Sequence, residues 1–273
     1  MPLQLGVIVS LREQPEASIA QVQEFGLPTC QVSSWNPELY TPEVARRLRQ
    51  AAAAAGVTIS TFWAGIPGRR VWDFVEGPST IGLVPADNRP ARIEALKRGS
   101  DFARAVGGIP SITTHVGFIP VNPADPAYLA TVEALREVAA HCKANGQEFW
   151  FETGQETPVT LLRTIEDVGA DNLGINLDPA NLLMYGMASP IDALDVFGRY
   201  VRGLHAKDGE YPTTGRALGV ERPLGEGRVD FPRLIARLKQ LGFAGAVTIE
   251  REISGHRQAE DIRRAIALLT PLL

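Results

Sequence analysis

Leu173-Gly174-Ile175-Asn176-Leu177-Asp178-Pro179 alternates bulky apolar side chains at 175 and 177 with small or polar ones at 174, 176 and 178. A period of two is that of a β-strand with two different faces. Ala246-Val247-Thr248-Ile249-Glu250 repeats it, with Val247 and Ile249 opposing Ala246, Thr248 and Glu250. In both stretches the bulky set suits packing against helices. The small and polar set then faces the other way, and an acid stands at the end of each run.

Working outward, the same unit recurs along the chain. Strand-length apolar runs are read at Leu3–Ser10, Leu27–Ser34, Val57–Ala64, Ser111–Gly117, Glu148–Thr153, Leu173–Asp178, Val201–Lys207 and Ala246–Glu250. Segments with apolar spacing of three and four lie between them: Glu16–Phe25, Pro42–Ala55, Arg89–Val106, Ala127–Asn145, Val159–Val168, Ile191–Tyr200, Phe231–Leu241 and Gln258–Leu273. Thr41-Pro42, Thr157-Pro158, Ser189-Pro190 and Asp230-Phe231-Pro232 read as helix starts, and Gly26, Gly56, Gly107, Gly146 and Gly242 as helix ends. Strand and helix alternating eight times over 273 residues predicts one α/β domain, a (β/α)8 TIM barrel spanning 1–273. A doubly wound open sheet would place a glycine-rich phosphate loop after the first strand, and Ser10-Leu11-Arg12-Glu13 is no such loop.

Two connections exceed ordinary loop length, Gly65–Asn88 after the third strand and Gly209–Val229 after the seventh. Both follow C-terminal strand ends, so in a barrel they cover the face where barrels do chemistry.

Composition narrows the function. Lys plus Arg is 27 and Asp plus Glu is 31, giving a net charge of −4, which argues against a nucleic-acid partner. No apolar run is long enough to span a membrane, and Met1-Pro2-Leu3-Gln4-Leu5 has neither the basic nor the apolar region of a signal peptide, so a cytoplasmic protein is expected. Cys30 and Cys142 share no ligand spacing and are read as reduced and buried.

The last four strands carry the chemistry. They end Phe151-Glu152, Leu177-Asp178, Leu204-His205 and Ile249-Glu250, and strand parity turns all four polar residues toward the barrel axis. A single carboxylate after a strand is usually a helix cap or a surface charge. Three converging with an imidazole repel one another unless a cation compensates them, and three oxygens with one nitrogen suit Mn²⁺, Mg²⁺, Co²⁺ or Zn²⁺.

Asn176-Leu177-Asp178-Pro179-Ala180-Asn181, His205-Ala206-Lys207-Asp208, Pro223-Leu224-Gly225-Glu226-Gly227-Arg228-Val229-Asp230-Phe231 and Thr248-Ile249-Glu250 together resemble the sugar phosphate isomerase/epimerase family of xylose isomerase-like barrels. The resemblance covers essentially the whole chain. It implies one divalent metal, Mn²⁺ first, held by Glu152, Asp178, His205 and Glu250. It further implies proton abstraction next to a carbonyl through a metal-stabilised enediolate, with Glu152 and Glu250 as the acid/base pair. The partner implied is a small sugar or polyol, in a homodimer. In the ketose 3-epimerases of the family a histidine stands three residues after the metal-binding Asp; here that position is Asn181.

Five residues are expected to contact substrate: His115, Asn181, Lys207, Arg216 and Glu156. For three of them a plainer role competes: packing for His115, a salt bridge with Asp208 or a neighbouring carboxylate for Lys207, helix capping for Glu156. Trp63 and Trp72 flank the start of the long loop after the third strand, where they are expected to pack it, the alternative being an apolar wall for a sugar ring. His141 and His256 are assigned no part in the metal site. The closest rival is a dehydratase or lyase acting on an inosose or 3-keto-glycoside with the same metal and carboxylates. A DNA-repair nuclease would need more ligand histidines than the four present.

Overall fold

The computed structural model describes residues 3–273. Eight parallel strands, Gln4–Ser10, Thr29–Ser34, Thr58–Ala64, Ser111–Thr114, Glu148–Glu152, Leu173–Leu177, Val201–Ala206 and Ala246–Ile249, close into a barrel in chain order. The last pairs with the first from Gln4 opposite Ala246 to Val7 opposite Ile249. The outer ring is formed by helices Pro15–Glu24, Pro42–Ala55, Arg89–Val106, Pro126–Ala144, Pro158–Val168, Pro190–Phe197, Phe231–Gln240 and His256–Leu269. This is the (β/α)8 barrel the alternation predicts.

The helix starts behave as read. Thr41, Thr157, Ser189 and Asp230 each accept a hydrogen bond from the backbone N–H three residues on, with proline in the first turn. Three boundaries differ. The fourth strand stops at Thr114, because Gly117 turns the chain at φ 99° and Val116 O accepts from Leu83 N. Pro271 ends the last helix early, in a tighter turn over Thr270–Leu272. A further short helix, Pro179–Met184, follows the sixth strand.

The parity argument holds in three dimensions. Phe149, Phe151, Ile175, Leu177, Leu204, Val247 and Ile249 are all buried among the helices. Inside the barrel, Trp150 takes the space that glycines leave: a Cβ on Gly174 would sit 2.6 Å from its ring. The rest of the interior is polar, and that polar column leads up to the mouth.

Each long loop is held by one buried charge. The guanidinium of Arg92 donates to the carbonyls of Pro67, Arg69, Thr80 and Gly82, tying down the segment after the third strand. Asp208 accepts from the backbone N–H groups of Gly209, Gly225, Gly227 and Val229, and so shapes the segment after the seventh. That segment also forms a two-residue antiparallel ladder, Asp208–Gly209 with Glu221–Arg222.

Cys30 and Cys142 are buried and unpaired, and burial pushes both thiols up to about 12. Among the described residues no helix is long and apolar enough to cross a membrane.

Candidate active site

Glu152 ends the fifth strand, His205 is the penultimate residue of the seventh, and Asp178 and Glu250 follow the sixth and eighth. Their inward parity brings them together, so that one donor atom from each lies within 4.8 Å of the others. His205 Nδ1 is 3.0 Å from Glu250 Oε2, 3.4 Å from Glu152 Oε1 and 3.7 Å from Asp178 Oδ2. All four side chains are buried apart from a small part of Glu250.

Three of the four are held from behind. Trp63 Nε1–H donates to Glu152 Oε2, which leaves Oε1 directed at the cluster. Asp178 caps the short helix, its Oδ1 accepting from Asn181 N at 2.8 Å, which leaves Oδ2 inward. Gln31 Oε1 lies 2.8 Å from His205 Nε2, while Gln31 Nε2 donates to Asn176 Oδ1 at 3.0 Å. Nε2 also lies 2.9 Å from the Asn176 amide nitrogen, so of the two amides it is Gln31 that supplies the acceptor. An N–H on Nε2 leaves the Nδ1 lone pair for a cation, as a metal-binding imidazole requires.

Asp178 Oδ2, His205 Nδ1 and Glu250 Oε2 are buried without a hydrogen-bond partner. His205 and Glu250 approach closely, yet are not aligned to bond. Unpartnered donor atoms of three carboxylates and an imidazole, converging on one point, fit a divalent cation.

The electrostatics without a metal are those of a crowded cluster. Burial and Lys207 act oppositely on Asp178, and burial prevails, raising its pKa. Burial also opposes ionisation of Glu152 and Glu250. The charges of His205 and His115 for the first, and of Lys207 and His205 for the second, overcome it and hold both low. The carboxylates in turn hold His205 and Lys207 well above their usual values despite burial.

Glu152 and Glu250 of the cluster line a cavity of about 240 Å³, together with Trp35, Trp63, Trp72, His115, Asn181 and Tyr185. His115 and Asn181 therefore reach the space where their sequence positions put them, His115 Nε2 lying 3.4 Å from Glu152 Oε1. Lys207 sits among Asp178, Glu250 and Glu252, not beside Asp208, whose oxygens are taken by backbone amides. Glu156 is buried but does not line the cavity, and it caps nothing, since Thr157 is the N-cap. Burial pushes its carboxyl up to about 8. Arg216 is exposed in its loop and is not among the cavity-lining residues, although Leu218 of the same loop is. His141 pairs with Asp101 on the outer ring, and His256 is exposed.

Trp63 and Trp72 both line the cavity, as the apolar-wall alternative has it, and each also packs on His115. Three parts of this arrangement are not read from the sequence, the first being the bond from Trp63 to a cluster carboxylate. Trp35, 4.7 Å from Trp63 between ring centroids, is the second. Gln31 was not singled out at all. Its signal was available, because Gln31 and Ser33 are inward-parity polar residues on the second strand.

The model of the xylose isomerase-like TIM barrel family matches residues 19–272. The chain belongs to that family. A xylose isomerase domain protein from Planctomyces limnophilus is 37% identical, with 99% of this chain and 98% of that one covered and a TM-score of 0.93. The 3-keto-D-glucoside 4-epimerase of E. coli is 16% identical, covering 99% of this chain and 100% of that one at a TM-score of 0.72, a likeness of fold. An uncharacterized protein of Methanocaldococcus jannaschii, MJ1311, is 29% identical over 98 residues, 35% of this chain. The chain spans only 31% of the length of that curated relative.

Proposed function

We propose that this family member is a divalent-metal-dependent isomerase or epimerase of a keto sugar. The observation that carries the reading is the convergence of four donor atoms, three of them unpartnered, in a cluster whose Glu152 and Glu250 line a tryptophan-walled cavity. Indole faces and edges suit the C–H surface of a sugar ring, and the carboxylates and amide suit its hydroxyls. The acidic and basic side chains lining the cavity are Glu152, Glu250, Glu252 and His115, with no Lys or Arg among them. A sugar phosphate would meet carboxylates there, so the substrate we propose carries no phosphate.

Glu152, Asp178, His205 and Glu250 would hold the ion, Mn²⁺, Mg²⁺, Co²⁺ or Zn²⁺, which supplies positive charge beside the substrate carbonyl. The protein's own part is proton transfer. Glu250 lines the cavity, and with its Oε2 turned to the cluster its Oε1 accepts no hydrogen bond, whereas the second oxygen of Glu152, Oε2, is tied to Trp63. Glu250 is thus the freer base. It takes the proton from the carbon next to the carbonyl, the C–H electron pair moves into an enediolate, and Glu152, ionised at rest, then relays a proton from solvent to the enediolate, while Glu250 releases its own to solvent. His115 and Asn181 orient the substrate hydroxyls.

The test is incubation of Mn²⁺-loaded protein with free ketoses, inososes and 3-keto-glycosides in D₂O. The expected product keeps the substrate mass apart from one deuterium at the carbon next to the carbonyl. Loss of water or of an aglycone would assign the site to a dehydratase or lyase instead. Absence of exchange with every substrate and with all four metals would overturn the reading.

A further inference from the structure

Lys207 is two residues beyond His205 and shares its inward parity. Its side chain is only 2% exposed, and its Nζ lies 3.4 Å from Glu250 Oε2 and 3.6 Å from Asp178 Oδ2. Two further oxygens complete its surroundings, Glu252 Oε2 at 3.0 Å and Asn181 Oδ1 at 3.4 Å. The neighbouring carboxylate in sequence, Asp208, is fully engaged by four backbone amides and gives it nothing. The counter-charges of this buried ammonium are therefore two of the cluster's own carboxylates and the rim residue Glu252.

We propose that Lys207 is the resident counter-cation of the metal centre, weakening metal binding in order to leave the loaded centre uncharged. Glu252 is more than half exposed and its charge is screened by solvent, so with a neutral His205 the buried charges are −3 from Glu152, Asp178 and Glu250 and +1 from Lys207, a net −2. One divalent cation cancels that charge. As Glu250 takes the substrate proton it loses its own charge, so the substrate anion develops beside a centre of +1. With Lys207 removed, that centre would be neutral and would no longer attract the anion.

The inference rests on reading the cluster as a metal site, and it has a signature that a purely structural lysine lacks. Like charges buried near one another repel strongly where water is scarce. Removing Lys207 therefore strengthens metal binding while it weakens catalysis.

The experiment is calorimetric titration of chelator-stripped protein with Mn²⁺ alone at pH 7.5, for wild type, Lys207→Met, Lys207→Gln and Lys207→Arg, with circular dichroism as the folding control. The two neutral variants are expected to bind Mn²⁺ at least tenfold more tightly than wild type, and Lys207→Arg to bind it as wild type does. Turnover of any substrate found should fall at least a hundredfold in the neutral variants. Lys207→Gln keeps a polar head, so it serves if the methionine variant does not fold. Unchanged or weaker Mn²⁺ binding in a folded neutral variant would overturn the proposal while the metal site stood. A wild type that binds no Mn²⁺ would overturn the metal site itself, and this inference with it.

Discussion

Trp63 Nε1–H donates to Glu152 Oε2, joining the end of the third strand to the end of the fifth across the barrel mouth. Both side chains are buried. The bond fixes which oxygen of Glu152 faces the cluster. Trp63→Phe keeps the ring and deletes the donor, leaving a buried carboxylate oxygen short of a partner. Hydrogen bonds to buried charges are worth about 1.5–3 kcal/mol, and the variant should lose that much in urea unfolding. A loss below about 0.5 kcal/mol would show that the bond contributes nothing.

Metal binding should appear as stability. An ion that binds only the folded chain adds about 2.7 kcal/mol when present at a hundred times its Kd. Thermal melts with Mn²⁺ should therefore run several degrees above melts with chelator. Asp178→Asn should abolish the difference. Equal melts for wild type in both conditions would count against the centre.

Glu156 gives the pH dependence a sign. Burial raises its carboxyl from an ordinary value of 4.5 to about 8. The folded state thus keeps a proton that the unfolded chain has lost, so this contribution is full below about pH 4.5 and declines until pH passes about 8. Glu156→Gln removes the titration. Its advantage over wild type in thermal melts should grow from pH 5 to pH 8, and a constant difference would refute the assignment.

Trp72 is 41% exposed at the cavity, where a packing residue would be covered. Trp72→Ala should leave stability within about 0.5 kcal/mol, as exposed positions do. On the substrate that the D₂O screen identifies, KM should rise several-fold with kcat held. A change in kcat alone would remove Trp72 from substrate binding.

Arg92 is buried among four carbonyls with no carboxylate beside it. Arg92→Met orphans those acceptors, each worth about 1–3 kcal/mol when left unpaired and dry. We expect at least about 3 kcal/mol of destabilisation, and faster proteolytic cleavage within residues 65–88. Wild-type cleavage there would mean that other contacts hold the loop.

The barrel was legible because its evidence is local. Ile175 and Leu177 against Asn176 and Asp178 reveal a strand and its two faces within six residues, and the same parity carried Glu152, His205 and Glu250 to the axis. Gln31 was missed because its role is made wholly by distance: it meets His205, 174 positions away, and Asn176, 145 away. Trp63 lay on a recognised strand, but nothing near it in sequence announces a bond to Glu152. Arg216 shows the opposite limit. Its loop is fixed at Asp208 and at Gly225–Val229, and between those points Arg216 is exposed while Leu218 reaches the cavity, an ordering the sequence does not carry.

Those fixed points have an evolutionary consequence. Asp208 grips the stem of its loop and leaves residues 211–217 with few ties to the barrel beneath. A lineage can lengthen, shorten or rewrite that crest while the staves and the four converging donors stay as they are. New appetites on an old chassis then require a change at the rim alone, and relatives that differ most in diet should differ first between Asp208 and Gly225.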